Sequence, residues 1–232
     1  RVIYVSNGEI MRIQEKTTEH LESVNIEIEV SASFKITSDA IYLSNYIDGY
    51  FKKTKDKKKF LEIGAGNGII SLLISKNENI ENITAVELQK NVYEYLVANV
   101  SKNKLEGKIL PLNDDIMNVS GKFDYIFSNP PYYKLNSGKL PMDEVELVSK
   151  YEKTLTLEKL ILKVKELLKN EGEFCIIIPS NRLNDLQKYI YNKNMNILVL
   201  KFFVSSKKEL VIVHGKKGGK NNSSIKIEIE NV

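Results

Sequence analysis

Along most of the chain, short apolar runs alternate with segments of helical period. KKFLEIG (58–64) is an apolar run closed by glycine, and NGIISLLIS (67–75) after it is helix-like. NITAVEL (82–88) repeats the strand pattern, and in QKNVYEYLVANVSKN (89–103) Val92, Leu96 and Val100 then recur every fourth residue, the spacing of one helix face. KILPLND (108–114) and DYIFSNP (124–130) predict a third and a fourth strand. Leu157, Leu160, Ile161, Val164, Leu167 and Leu168 form the apolar stripe of a long helix, with Gly172 expected as its C-terminal cap. EFCIIIP (173–179) reads as a fifth strand, apolar throughout as a central parallel strand should be, and Ser180 is expected to cap the next helix, NRLNDLQKYIYNK (181–193). NILVLKFFV (196–204) and ELVIVHGKK (209–217) are separated only by SSKK. A parallel crossover needs about a dozen residues, so these two strands predict an antiparallel hairpin.

The pattern therefore predicts an α/β fold: a mostly parallel, seven-stranded sheet with a C-terminal antiparallel hairpin. GKKGGKNNSS links the hairpin to a last strand candidate, SIKIEIE (224–230). Near the N-terminus, NIEIEVSA (25–32) alternates like a strand and TSDAIYLSNYI (37–47) reads as a capped helix. The expected organisation is an N-terminal segment, residues 1–46, packed on a main domain of residues 47–232. In an open parallel sheet ligands gather at the carboxyl ends of the strands. That edge carries Gly64 to Gly68, Glu87 to Leu88, Asp114 to Asp115 and Asn129 to Tyr132.

Composition narrows the chemistry. The 232 residues are 42% hydrophobic and 28% charged, as in an ordinary globular domain, and no apolar run approaches the roughly 20 residues that cross a bilayer. No secretory leader opens the sequence, and the expectation is a cytoplasmic protein. Cys175 is the single cysteine, so internal disulfides and a cysteine-rich zinc site are excluded, and no metal is expected. Its apolar strand setting reads as packing rather than a reactive thiol. His20 and His214 stand alone, and packing or surface roles are expected of both. The net charge of +4 permits a nucleic-acid partner without demanding one. Oligomeric state is left open.

LEIGAGNG (61–68) has glycines at 64, 66 and 68 but isoleucine at 69, so the G-x-G-x-x-G spacing of a diphosphate-binding turn is missing. Glu62 beside the turn would repel phosphate and suits a cation instead. Glu87 ends the second strand, where a carboxylate can accept both hydrogen bonds of a ribose diol, and Asp115 after the third can accept from an adenine amine. An adenosine with a positive centre fits three such acids. S-adenosylmethionine is that molecule.

FKITSDA, LEIGAGNG, AVEL, NDDI, SNPPY and TLEKLILKVKELLKNEGEF follow one another over residues 34 to 214. In this order they resemble the class I, Rossmann-like S-adenosylmethionine-dependent methyltransferases, and NPPY resembles the branch that methylates exocyclic or amide nitrogens. Within the branch, the short FKITSDAIYL segment is most similar to the bacterial adenine-N6 methyltransferases of valine tRNA. One position departs: Tyr151-Glu152 stands where relatives usually carry His-Glu. The resemblance implies Thr37, Asp39, Glu62, Gly64, Ala65, Gly66, Gly68, Glu87, Leu88, Asp115, Ile116 and Asn129 at the cofactor, and Pro131, Tyr132 and Lys134 at the substrate. It further implies that the Asn129 side-chain oxygen and the Pro130 carbonyl accept the two N–H bonds of the target amine, and that Tyr132 stacks on the base. These three residues, Asn129, Pro130 and Tyr132, are the expected catalytic set, and an RNA, tRNA foremost, the expected partner.

Other readings share the motif. The same clamp holds the amide of a protein glutamine, an rRNA guanine N2 is a further target, and a non-catalytic RNA-binding module could keep the fold. KKTKDKKK (52–59), the densest basic run, enters the first parallel strand and so falls at the edge away from the site. Lys134, Lys139, Arg182, Lys207 and Lys208 lie on the site's side and are the expected phosphate contacts.

Overall fold

A computed structural model describes residues 4–6, 9–11, 17–21, 26–30, 36–53, 56–133, 147–148, 151–152, 154–206, 208–218 and 224–232. The frame of the molecule is one sheet. Strands β5 (Lys58–Ile63), β6 (Ile80–Glu87), β7 (Ile109–Asn113), β8 (Phe123–Ser128) and β9 (Leu168–Pro179) are mutually parallel, and β10 (Met195–Val204) and β11 (Glu209–Lys217) form the expected antiparallel hairpin. The last strand candidate also joins: β12 (Lys226–Asn231) pairs parallel to β10, so the expected seven strands become eight, in the order β12-β10-β11-β9-β8-β5-β6-β7.

Helices cover both faces. Helices α1 (Ser38–Phe51), α2 (Ile69–Ile74) and α3 (Lys90–Lys102) bury Leu43, Ile47, Leu72 and Leu96 with Phe60, Phe127 and Ile177 of the sheet. Helices α4 (Leu157–Leu167) and α5 (Leu183–Asn192) bury Leu160, Ile161, Val164 and Ile190 with Leu61, Ile126 and Ile176. Successive strand residues thus feed opposite cores, which is why the central strands are apolar at nearly every position.

Two caps differ from expectation. Helix α4 ends at Leu167, and Leu168 is already extended (φ −70°, ψ 139°), so Gly172 lies inside β9 rather than capping the helix. There β9 is irregular: Phe123 pairs with Leu168 and Tyr125 with Glu173, and a Cβ on Gly172 would sit 3.2 Å from the Asp124 carbonyl oxygen. A tight strand crossing, not a helix end, is what needs glycine there. Ser180 opens a 3-10 turn, Ser180–Arg182, and donates to Glu209 Oε2 at 3.0 Å; it does not cap α5.

At the N-terminal side, short hairpins form between β1 (Tyr4–Ser6) and β2 (Glu9–Met11), and between β3 (Thr17–Leu21) and β4 (Ile26–Val30). Ile26, Ile28 and Val30 join the core under α1 to α3. Position 46 lies within α1. Asn99 of α3 braces β4 against the first glycine turn: its Oδ1 accepts from the Glu29 N–H at 2.7 Å, and its Nδ2 donates to the carbonyls of Glu29 and Asn67 at 3.1 and 3.0 Å.

Cys175 is buried, and burial pushes its thiol up. His214 is wholly buried between Tyr46 Oη, 2.8 Å from Nδ1, and Glu173 Oε2, 3.1 Å from Nε2, and so serves packing and internal hydrogen bonding. The His20 side chain lies outside the described residues. Among the described residues no helix is long and apolar enough to cross a membrane.

Candidate active site

A cavity of about 410 Å³ opens at the carboxyl ends of β5 to β8, within the range of small-molecule sites. It gathers Thr37, Asp39, Glu62, Gly64, Ala65, Gly66, Glu87, Leu88, Asp115, Ile116 and Asn129 to Tyr132, nearly the whole set named from sequence. Gly68 is not among the lining residues. It begins α2 at φ 88°, and a Cβ there would come within 2.5 Å of Leu96 Cδ1, so glycine is needed for close helix packing. Lys134 lies outside the described residues, as do Lys139 and Lys207.

The glycine turn is fixed by backbone bonds and one acid. After β5 the chain takes positive φ at Gly64, Gly66 and Gly68, and the N–H groups of Gly64 and Ala65 donate to the Val86 carbonyl at 3.0 and 2.9 Å. Glu87 Oε2 accepts from the Gly66 N–H at 2.9 Å and Oε1 from the Gln89 N–H at 2.8 Å. The Leu88 N–H also interacts with this carboxylate, which keeps acceptor capacity for a ligand hydroxyl. Burial pushes the Glu87 carboxyl up, opposed by these backbone bonds.

Glu62 is more deeply isolated. Ser71 Oγ donates to its Oε2, while among the described residues Oε1 has no hydrogen-bond partner, and burial pushes the carboxyl up to about 8. Asn67 Nδ2, also buried on a cavity-lining residue, lacks a partner as well. Buried polar atoms are nearly always satisfied, so these two mark a place where a ligand completes the bonding. Asp115 spends Oδ1 on the Met117 N–H at 2.9 Å, closing a 3-10 turn. Among the described residues no lysine or arginine lines the cavity, whereas Asp39, Glu62, Glu87, Asp114 and Asp115 do. Lys208 already neutralises Asp39 and burial holds the Glu62 carboxyl up to about 8, so what the wall offers is acceptors for hydroxyls and amines rather than donors for a diphosphate.

Across the cavity, β8 ends at Ser128, whose Oγ donates to the Ile63 carbonyl at 2.7 Å and ties the two strand ends together. Asn129 follows, half-buried and facing the same space, and among the described residues its amide makes no hydrogen bond. Pro130 is buried behind it. Tyr132 is held at both ends. Its Oη donates to Asp39 Oδ2 at 3.2 Å, and its backbone carbonyl accepts from Arg182 Nη1. Burial, then the Asp39 charge, push its hydroxyl up, so it stays protonated.

Two expected phosphate contacts are committed elsewhere. Arg182, 8% exposed, pairs with Glu152 at 2.6 Å and Asp185 at 3.1 Å, and the Lys208 ammonium lies 2.8 Å from both oxygens of Asp39. Reading one cation at a time could not show that each has an acid waiting across the fold. Sequence reasoning placed Asp114 on this edge without giving it a role, and did not single out Asn67 or Gln89, although each sits in a stretch already quoted. Val148, Thr154 and Leu155 come from beyond the clamp and gave no signal. Among the described residues no group of three or more His, Cys, Asp or Glu could hold a metal.

Comparison with known proteins bears on the family and the fold. The chain is 29% identical over 148 residues to the tRNA1(Val) (adenine(37)-N6)-methyltransferase of Flavobacteriaceae bacterium strain 3519-10, covering 63% of this chain and 60% of the relative. It is 32% identical over 136 residues to the protein of the same name from Porphyromonas gingivalis W83, covering 56% and 52%. The matches thus span only about half to three-fifths of these relatives' length. Among solved structures, a methyltransferase from Pyrococcus furiosus superposes with TM-score 0.61 at 24% identity, covering 84% of this chain and 90% of that one. TYW2 of M. jannaschii, solved in complex with AdoMet, gives 0.60 at 16% identity, covering 90% and 89%. Both show the same fold. The model of the methyltransferase small domain family matches residues 49–196, from the end of α1 to the start of β10, and the chain belongs to that family.

Proposed function

We propose that the protein is an S-adenosylmethionine-dependent N-methyltransferase acting on the exocyclic N6 amine of an adenosine in tRNA. The observation that carries this reading is the pairing, in one cavity, of an acid-lined glycine turn with an Asn129 amide that makes no hydrogen bond among the described residues. The residues suit the cofactor: Glu87 keeps acceptor capacity for ribose hydroxyls, Asp115 Oδ2 is open to an amine, and Glu62 Oε1 and Asn67 Nδ2, unpartnered among the described residues, suit a charged amino-acid tail. When bound, the cofactor supplies an electrophilic methyl carbon.

The protein's own part is orientation and charge. An adenine amine is a poor nucleophile, because its lone pair is delocalised into the ring. Asn129 Oδ1 and the Pro130 carbonyl accept its two N–H bonds and turn the lone pair toward the glycine-turn side of the cavity. With the cofactor held by the turn, its sulfur would take the electron pair of the methyl bond as the nitrogen takes the methyl, and Asn129 Oδ1 and the Pro130 carbonyl would stabilise the positive charge growing on nitrogen. Proline holds its carbonyl with fixed φ. Tyr132 stacks on the base, worth about 1–3 kcal/mol, after the base has left its own stack. The proton leaves the nitrogen for water once methylation has made it acidic, so no histidine is required. The tRNA target is supported by the names of the curated relatives.

The test is methyl transfer from radiolabelled S-adenosylmethionine to separated tRNA, rRNA and protein, followed by nucleoside mass spectrometry. N6-methyladenosine in tRNA is expected. Label confined to a glutamine amide or to rRNA guanine would replace the substrate assignment, and cofactor binding with no transfer to any fraction would point to the non-catalytic module.

A further inference from the structure

Lys208 sits at the tip of the β10–β11 hairpin, and its backbone is fixed there: its N–H donates to Ser205 Oγ at 3.1 Å, and its carbonyl accepts from the Ser205 N–H at 3.1 Å and from Ser205 Oγ at 2.9 Å. From that anchored position the ammonium reaches Asp39 of α1, 169 residues away, at 2.8 Å to each carboxylate oxygen, and lies 3.4 Å from Tyr132 Oη. The Asp39 side chain is only 4% exposed. Removing its counter-charge would leave a buried carboxylate whose remaining partners are the hydroxyls of Tyr132 and Ser38. At the other end of Tyr132, Arg182 donates from one nitrogen to its carbonyl and from a second to Glu152 Oε1, and the Glu152 N–H donates to the Tyr133 carbonyl at 2.9 Å. Both cations thus converge on one residue. Neither belongs to the motif that contains it.

We infer that Lys208 and Arg182 are positioning residues for Tyr132: through Asp39 and Glu152 they fix the aromatic wall on which the target base stacks. This rests on the methyl-transfer reading for its kinetic consequence, but not for the anchor itself. On this reading the Lys208 charge is spent on Asp39, so its influence is expected in turnover rather than in the salt dependence of RNA binding. The Lys208 ammonium lies toward the hydroxyl edge of the ring, 5.8 Å from the centroid. The ring's role as a stacking surface is compatible with that placement.

The experiment compares Lys208→Met, Tyr132→Phe and the double variant. Lys208→Met is expected to lower kcat about tenfold, with the cofactor Kd and the salt slope of tRNA binding unchanged. In the Tyr132→Phe background, where the hydroxyl it steadies is gone, the same substitution should cost less than twofold. Multiplicative losses in the double variant, or a salt slope that falls by about one on losing Lys208, would overturn the proposal. Arg182→Lys, which keeps the charge but not the two-pronged donor, should also lower kcat at constant cofactor Kd; full activity would count against it. An activity-independent readout keeps the two readings apart. In 13C-tyrosine NMR, the resonance absent from Tyr132→Phe should move in Lys208→Met, and an unmoved resonance rejects the anchor. A wild-type protein that transfers no methyl to tRNA would reject the proposed function and leave the anchor to be judged by NMR.

Discussion

The two walls of the cavity are built in different ways. The glycine-turn wall holds itself: Glu87 accepts from Gly66 and Gln89, and Gly64 and Ala65 donate to Val86, all across the ends of two neighbouring strands. The clamp wall is held from afar, with Tyr132 fixed by Arg182, 50 positions on, and by Asp39, 93 positions back. Short-range backbone bonds form whenever the strands pair. Side-chain anchors need the whole α/β framework first, which makes the clamp wall the one more exposed to distant change.

Substitutions aimed at one wall at a time sharpen this contrast. The largest effect is expected from Asn129→Ala, which removes an acceptor from the clamp without touching the turn: turnover should fall by about 10²–10³, roughly 3–4 kcal/mol, with cofactor binding by calorimetry unchanged. A fully active variant would break the proposed division of labour. On the turn wall, the Glu62 carboxyl is held up to about 8, well above its ordinary value of 4.5. Between those values the folded protein keeps a proton that the unfolded chain has released, so this group's contribution to stability declines as pH rises from about 4.5 to 8. Glu62→Gln should remove that decline. Its stability relative to wild type in urea melts should therefore improve from pH 5 to pH 8 by on the order of 3 kcal/mol, while Glu87, also raised by burial, retains its own dependence. Gly68→Ala combines a left-handed backbone with a methyl 2.5 Å from Leu96 Cδ1, and should destabilise the fold by about 1–3 kcal/mol and weaken cofactor binding. Lys57→Glu, in the basic run where the chain enters β5, lies at the far end of the sheet from both walls. It should change stability by less than about 0.5 kcal/mol and leave tRNA affinity unchanged in a filter-binding titration.

What sequence could disclose follows the same contrast. The alternation of strand and helix periods disclosed the parallel strands one after another along the chain, though not their order in the sheet, and the motifs at their ends disclosed nearly every residue of the turn wall, because each acts through its own strand end. Gly68 was misplaced because a packing glycine and a ligand-approaching glycine look alike in a short turn. Gly172 and Ser180 are favoured cap residues, but a strand crossing claimed the first and a bond to Glu209 the second. Lys208 reads as a free cation because nothing local to it names its partner, 169 positions away; Arg182 has Asp185 three positions on, but the Glu152 that takes its other nitrogen lies 30 positions back.

The hairpin link also bears on the order in which the protein is made. Synthesis delivers the turn, its acids and the Asn129 clamp long before Lys208, which lies in the link just ahead of the second-last strand. A nascent chain halted in β10 would already carry the cofactor-facing acids, yet Asp39 would still await its cation. The Tyr132 end of the clamp therefore waits on the closing hairpin, whereas the acids of the turn do not.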